Sequence, residues 1–217
     1  MPRLARGQQN TGYVYHVINR GNGGAAVFHK DGDYRAFLDL LALAKTKYPI
    51  KVFGFCLMPN HFHLVLEPAS RDTLSRLMLW WLTSHVRRYH RHYHSHGHIW
   101  QGRFKNFPIQ QDEHLLTVLR YVVNNPVRAG LASNAEQWPW SSLRHPALID
   151  PWPLEVSPNW PRACDEPLVD HDLAQIRTCV NRQAPFGSPT WQERLAHLFG
   201  LESTLRPRGR PRKTTKK

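Results

Sequence analysis

Two histidines one residue apart, His61-Phe62-His63, and a tyrosine four residues ahead of an asparagine, Tyr121 and Asn125, are the residues of this chain whose types and spacing suit chemistry. In an extended strand, residues two apart point to the same side, so both imidazoles can reach one metal ion while Phe62 turns into the core. In a chain with 14 histidines such a pair also arises by chance, with rings that are solvated or structural. Tyr121 and Asn125 share one side of a helix, turned away from an apolar stripe of Leu115, Leu119 and Val122. A tyrosine so placed serves either as an active-site nucleophile or as an ordinary rim residue. Asn125 precedes Pro126, which disfavours helical geometry, so its amide suits a helix cap as well as a metal ligand.

These residues need elements to carry them. Tyr13 to Ile18 is β-branched and aromatic and runs into the turn cluster Arg20-Gly21-Asn22-Gly23-Gly24, which reads as a first strand. Asp33 to Tyr48 repeats Phe37, Leu40, Leu41 and Ala44 at helical steps until Pro49. Ile50 to Leu57 and Phe62 to Leu66, joined through Met58-Pro59-Asn60, predict a strand pair. Asp72 caps a long helix to about Tyr93, Trp100 to Gln110 is extended, and Asp112 opens the helix of Tyr121. The order βαββαβα predicts an α+β, ferredoxin-like antiparallel sheet with helices on one face. From Pro146 to Asp170 the chain holds six prolines and five acids, a composition shift that divides it into residues 1–145, a linker with a two-helix extension at 146–205, and a basic tail at 206–217. The two short helices are Asp172 to Arg182 and Pro189 to Leu201.

Lys and Arg number 29 against 16 acids, a formal charge of +13 that favours a polyanion, either nucleic acid or an anionic membrane surface. The longest nearly apolar stretch, Ala36 to Ala44, is interrupted by Asp39 and is too short to cross a bilayer. Met1 to Gly7 leads into polar Gln8-Gln9-Asn10 rather than the apolar segment of a secretory signal. Cys56, Cys164 and Cys179 are odd in number and scattered, which suits reduced thiols. The expectation is a cytoplasmic protein without membrane partners.

The runs Tyr15-His16-Val17-Ile18-Asn19-Arg20-Gly21-Asn22, Met58-Pro59-Asn60-His61-Phe62-His63, Gln101-Gly102-Arg103-Phe104-Lys105 and Tyr121-Val122-Val123-Asn124-Asn125-Pro126-Val127-Arg128-Ala129-Gly130 resemble, in matching order, those of the REP-associated tyrosine transposases, within the single-tyrosine HUH nucleases. The resemblance implies an HUH-type fold in which His61 and His63 are paired metal ligands and Tyr121 is the nucleophile. Asn125 stands where relatives of the wider group carry a glutamine ligand. It further implies action on single-stranded DNA folded into hairpins of REP-like repeats, through a covalent 5′-phosphotyrosine link that frees a 3′-hydroxyl and is reversible. Either the site lies within one chain, or a homodimer joins the histidines of one copy to the tyrosine of another. Two imidazoles and an amide oxygen favour Mn²⁺, and Mg²⁺ suits the site with added water and phosphate oxygens.

Arg87, Arg88, Arg91, Arg103 and Lys105 are candidate DNA contacts, joined by Arg20 and Arg128 from the family-like runs. Trp100 and Phe104 suit base stacking or the core. The alternating His90, His92, His94, His96 and His98 suit a solvated loop better than zinc and receive no role. Arg208-Gly209-Arg210-Pro211-Arg212 fits an AT-hook core or a generic basic tail. Two other functions fit parts of the pattern. A non-catalytic DNA-binding derivative would be expected to have lost the metal pair or the tyrosine, yet His61, His63 and Tyr121 all remain. A zinc hydrolase lacks an acid or base at a telling spacing.

Overall fold

A computed structural model of the chain describes residues 12–70, 72–155, 160, 164 and 166–206. The polar start at Met1 to Gly7 and the tail residues Arg208, Arg210 and Arg212 lie outside the described residues. Four strands, β1 (Val14–Arg20), β2 (Ile50–Met58), β3 (His61–Pro68) and β4 (Lys105–Ile109), form one sheet in the order β2-β3-β1-β4. Every pairing is antiparallel, as expected for a ferredoxin-like α+β unit. α1 (Asp31–Lys47) and α2 (Thr73–Tyr93) are the crossover helices. They bury Phe37, Leu41, Leu77 and Trp81 against Val17, Phe55, Phe62 and Leu64 of the sheet. The Phe37 and Trp81 rings stack at 4.2 Å, and the indole N–H donates to the Phe37 carbonyl, so this aromatic core leaves that donor satisfied.

The helix carrying Tyr121, α3 (Glu113–Val123), follows the βαββαβ unit and covers the opposite face of the sheet. Single-face packing therefore describes α1 and α2, and α3 adds a third layer. Asp112 starts α3 by accepting a hydrogen bond from the His114 N–H. The approach to the sheet is close at Gly54, where an added Cβ would stand 2.6 Å from Leu119 Cδ2. After Asn124, α4 (Asn125–Arg128) begins with Pro126 in its first turn, where a missing N–H costs nothing.

The C-terminal segment supplies α5 (Asp170–Arg182), α6 (Pro189–Phe199) and α7 (Glu202–Leu205). Leu168, Ile176, Cys179 and Phe186 share one core with Phe107, Leu115 and Tyr121, so the extension past the proline-rich stretch seals the outer face of α3. Within that stretch Trp152 donates to the Phe53 carbonyl and Asp150 pairs with Lys45, which fastens the chain across β2 and α1. No helix among the described residues is long and apolar enough to cross a membrane.

Candidate active site and nucleic-acid interface

Alternation along β3 does what the sequence implies: Phe62 is fully buried in the aromatic core while His61 and His63 face the α3 side. Their register partners on β1 are Arg20 and Ile18. The two rings lie 5.0 Å apart, centroid to centroid. Asn60 Oδ1 engages His61 Nδ1 at 2.6 Å, and the Asn60 amide nitrogen is itself anchored on the Gly24 carbonyl. His16 Nε2 engages His63 Nδ1 at 2.8 Å. With both Nδ1 atoms engaged, Nε2 of each ring is the atom able to coordinate a metal.

Burial pushes His61 down to about 4, with the Arg20 charge adding to the effect, and holds His63 well below its ordinary range. His16 falls to about 3 through burial and then the neighbouring His61. Neutral imidazole is the form that binds metal. A pair of neutral rings with fixed Nδ1 atoms thus fits a divalent ion.

Tyr121 is not the rim residue that its off-stripe position allowed: it is only 8% exposed. α5 and its flanking residues cover α3, which the helical periodicity of α3 alone could not reveal. The Tyr121 ring stands 5.7 Å from the His63 ring at nearly a right angle and 6.4 Å from that of His16. Arg128, expected as a DNA contact, lays its guanidinium 4.3 Å from the centre of the Tyr121 ring and donates to the Tyr121 carbonyl at 2.5 Å. The Asn125 amide nitrogen donates to the same carbonyl at 3.2 Å, a C-terminal capping bond that leaves Oδ1 as its acceptor. Within one chain, ring contacts therefore link His61, His63, Tyr121 and Arg128, and Asn125 bonds to the backbone of Tyr121.

The other basic candidates divide into two groups. Arg20, Arg103 and Lys105 line a groove of about 800 Å³, walled by Gln101, Phe104 and, from the C-terminal extension, Asn181 and Gln183, which reaches the histidine pair through Ile18 and Arg20, the β1 register partners of His63 and His61. Arg87, Arg88 and Arg91 are exposed near the end of α2. Chain direction in this topology brings the end of α2 to the sheet end that also holds Arg20, His61 and Lys105. Trp100 is core, packed on Phe37, Phe62 and His85, whereas Phe104 remains half-buried in the groove. His90 ties down the turn after α2 through Ser95 and the Gly97 carbonyl. A separate group, Asp112, Glu113 and His114, sits at the start of α3, where capping accounts for Asp112.

His16 and Asn60 are the site residues that sequence reasoning left without a role. Both lie inside the family-like runs, and the alternation of β1 already put His16 on the side of Ile18 and Arg20. What was missing was the register that sets β1 against β3.

A family model described as "Transposase IS200 like" matches residues 9–125, more than half of the chain. The chain belongs to this transposase family. A relative from Haemophilus influenzae, described as a putative REP-associated tyrosine transposase, is 26% identical over 122 residues, covering 52% of this chain and 69% of that protein. The fold is similar to that of a REP-associated tyrosine transposase solved bound to a REP hairpin. That match has a TM-score of 0.50 and 18% identity, and covers 78% of this chain and 98% of the other. These findings bear out the resemblance to REP-associated tyrosine transposases carried by the four sequence runs.

Proposed function

We propose that this transposase binds hairpin-forming single-stranded DNA of REP-like type and cleaves it by attack of Tyr121 on a phosphodiester, assisted by Mg²⁺ or Mn²⁺. The observation that carries the reading is the packing of Tyr121 against His63 within one chain, beside a groove lined by Arg20, Arg103 and Lys105. In the attack the Tyr121 oxygen bonds to phosphorus as the bond to the 3′-oxygen breaks. The phenol proton passes to solvent or a base and the released 3′-oxygen takes up a proton. The product is a 5′-phosphotyrosine ester and a 3′-hydroxyl, which can rejoin by reversal.

His61, His63 and the Asn125 Oδ1 would hold the ion, whose charge orients the scissile phosphate and offsets the negative charge that grows in the transition state. Arg128 holds a positive charge against the nucleophile and, with Asn125, pins the carbonyl end of its residue. Arg20, Arg103 and Lys105 neutralise backbone phosphates along the groove, with Phe104 available to a base. Arg87, Arg88, Arg91 and the tail residues Arg208, Arg210 and Arg212 extend the basic surface. The meeting of the histidines and the tyrosine in a single chain supports a site completed within one copy.

A labelled REP-like hairpin incubated with the protein tests this reading. Cleavage should require a divalent ion and stop in EDTA, and a mixture of His63→Ala and Tyr121→Phe proteins should recover none of it. Full cleavage in EDTA would refute the metal role. Recovery in the mixture would show a site shared between two copies.

A further inference from the structure

We propose that His16 is a positioning residue for the metal centre: its Nε2 accepts the Nδ1–H of His63, fixing the ring plane and the tautomer in which His63 Nε2 carries a lone pair. The inference rests on the reading of His61 and His63 as metal ligands and adds a residue to it.

The geometry is specific. His16 lies on β1 opposite Val65 of β3, and its ring reaches the ring of His63 at 2.8 Å between Nε2 and Nδ1. Both side chains are buried, so water does not compete for the bond. Of two neutral imidazoles sharing one hydrogen bond, one must donate and the other accept. If His16 donated, the His63 proton would sit on Nε2 and block coordination. If His63 donates, its Nε2 is open and His16 must carry its proton on Nδ1.

His16 Nδ1 is buried and has no hydrogen-bond partner among the described residues. A buried polar atom without a partner costs stability. A packing role against Phe107 and Tyr121, whose rings lie 4.8 and 6.4 Å away, would be met by a leucine or phenylalanine without that cost. The unpaired nitrogen is thus accounted for by what the other ring nitrogen does. Outer partners of this kind commonly change metal affinity by 10–100-fold when removed.

Two substitutions separate positioning from packing. His16→Leu fills the space and removes the acceptor, whereas His16→Gln places an amide oxygen near the former Nε2. Mn²⁺ affinity of the full chain, measured by electron paramagnetic resonance without DNA, should fall roughly 10–100-fold in His16→Leu. It should stay within several-fold of the parent in His16→Gln, although glutamine is the less natural occupant of a buried apolar site. Spectra of ¹⁵N-histidine-labelled, Zn²⁺-loaded protein should show His63 protonated on Nδ1 and His16 also on Nδ1. His61→Ala identifies which bound ion belongs to this site. Unchanged Mn²⁺ affinity in His16→Leu, or His16 protonated on Nε2, would overturn the role of His16 while leaving the metal centre standing. Undiminished Mn²⁺ binding in His61→Ala would overturn the metal centre itself.

Discussion

The two faces of the sheet are about equally buried yet do different work. On the α1 and α2 face, Phe37, Phe62, Trp81 and Trp100 pack ring against ring, and the buried Trp81 N–H has a backbone partner. On the α3 face, three histidines and a tyrosine stand among apolar residues, and two of those histidines share one hydrogen bond. One alternating tripeptide, His61-Phe62-His63, supplies both faces. The comparison shows how the fold tolerates a polar cluster: Phe53, Phe107, Leu115, Leu119 and Val122 give the α3 face an apolar core of its own, and the neutral imidazoles are held beside it at a fixed spacing.

Truncating each side should separate the two roles. Phe62→Ala opens a cavity in the aromatic core and should cost about 3–5 kcal/mol, enough to unfold much of a marginal domain. Its neighbour His61→Ala, half-buried at the site, should leave the thermal midpoint close to that of the parent and remove most cleavage. Differential scanning calorimetry beside a gel-based cleavage assay checks both. A reversed pattern would mean that the α3 face, and not the aromatic one, carries the stability.

Acid should expose the one place where the faces resemble each other. His85 of α2 is buried against Phe37 and Trp100, and burial lowers it to about 4, partly opposed by Asp33 and aided by Arg88. The unfolded chain titrates this histidine near 6.5, so between pH 6.5 and 4 it binds more protons than the folded one. The stabilisation is therefore present above 6.5 and lost as pH falls toward 4, on the order of 3 kcal/mol for this residue. His85→Phe should flatten the decline in that window in urea titrations, leaving the share due to the histidines of the α3 face. An unchanged slope would show that His85 is not a source of the acid sensitivity.

Much of this was legible in the chain because it is local. Alternation around Phe62 and the turn at Met58-Pro59-Asn60 define the strand pair, and Asp112 and Pro126 bracket the helix of Tyr121. What could not be read is set by distant partners. His16 meets His63 only through the β1–β3 register, across 47 positions. The burial of Tyr121 depends on α5, about fifty residues downstream, and on Arg128, whose guanidinium lies on the tyrosine instead of projecting only toward DNA. Trp100 was open to either stacking or core packing, and only the arrangement of α1 and α2 around it decides for the core.

The smallest effect is expected at Asn125. Its amide donates a single 3.2 Å bond to the Tyr121 carbonyl, and water can replace a lone amide ligand. Asn125→Ala should cost roughly 1 kcal/mol of stability and lower cleavage far less than His61→Ala. Thermal melts and initial rates at saturating Mn²⁺ check this, and a loss equal to that of His61→Ala would make Asn125 a full member of the metal set.

The most direct test of the account is whether Tyr121 itself becomes joined to DNA. Incubated with Mn²⁺ and a hairpin labelled on the 3′ side of its cleavage site, the parent protein should carry the label through a denaturing gel. Tyr121→Phe, which keeps the ring packed between His63 and Arg128, should bind the hairpin within a few fold and form no adduct. An adduct of equal yield in the Phe variant would contradict the assignment of Tyr121 as the nucleophile.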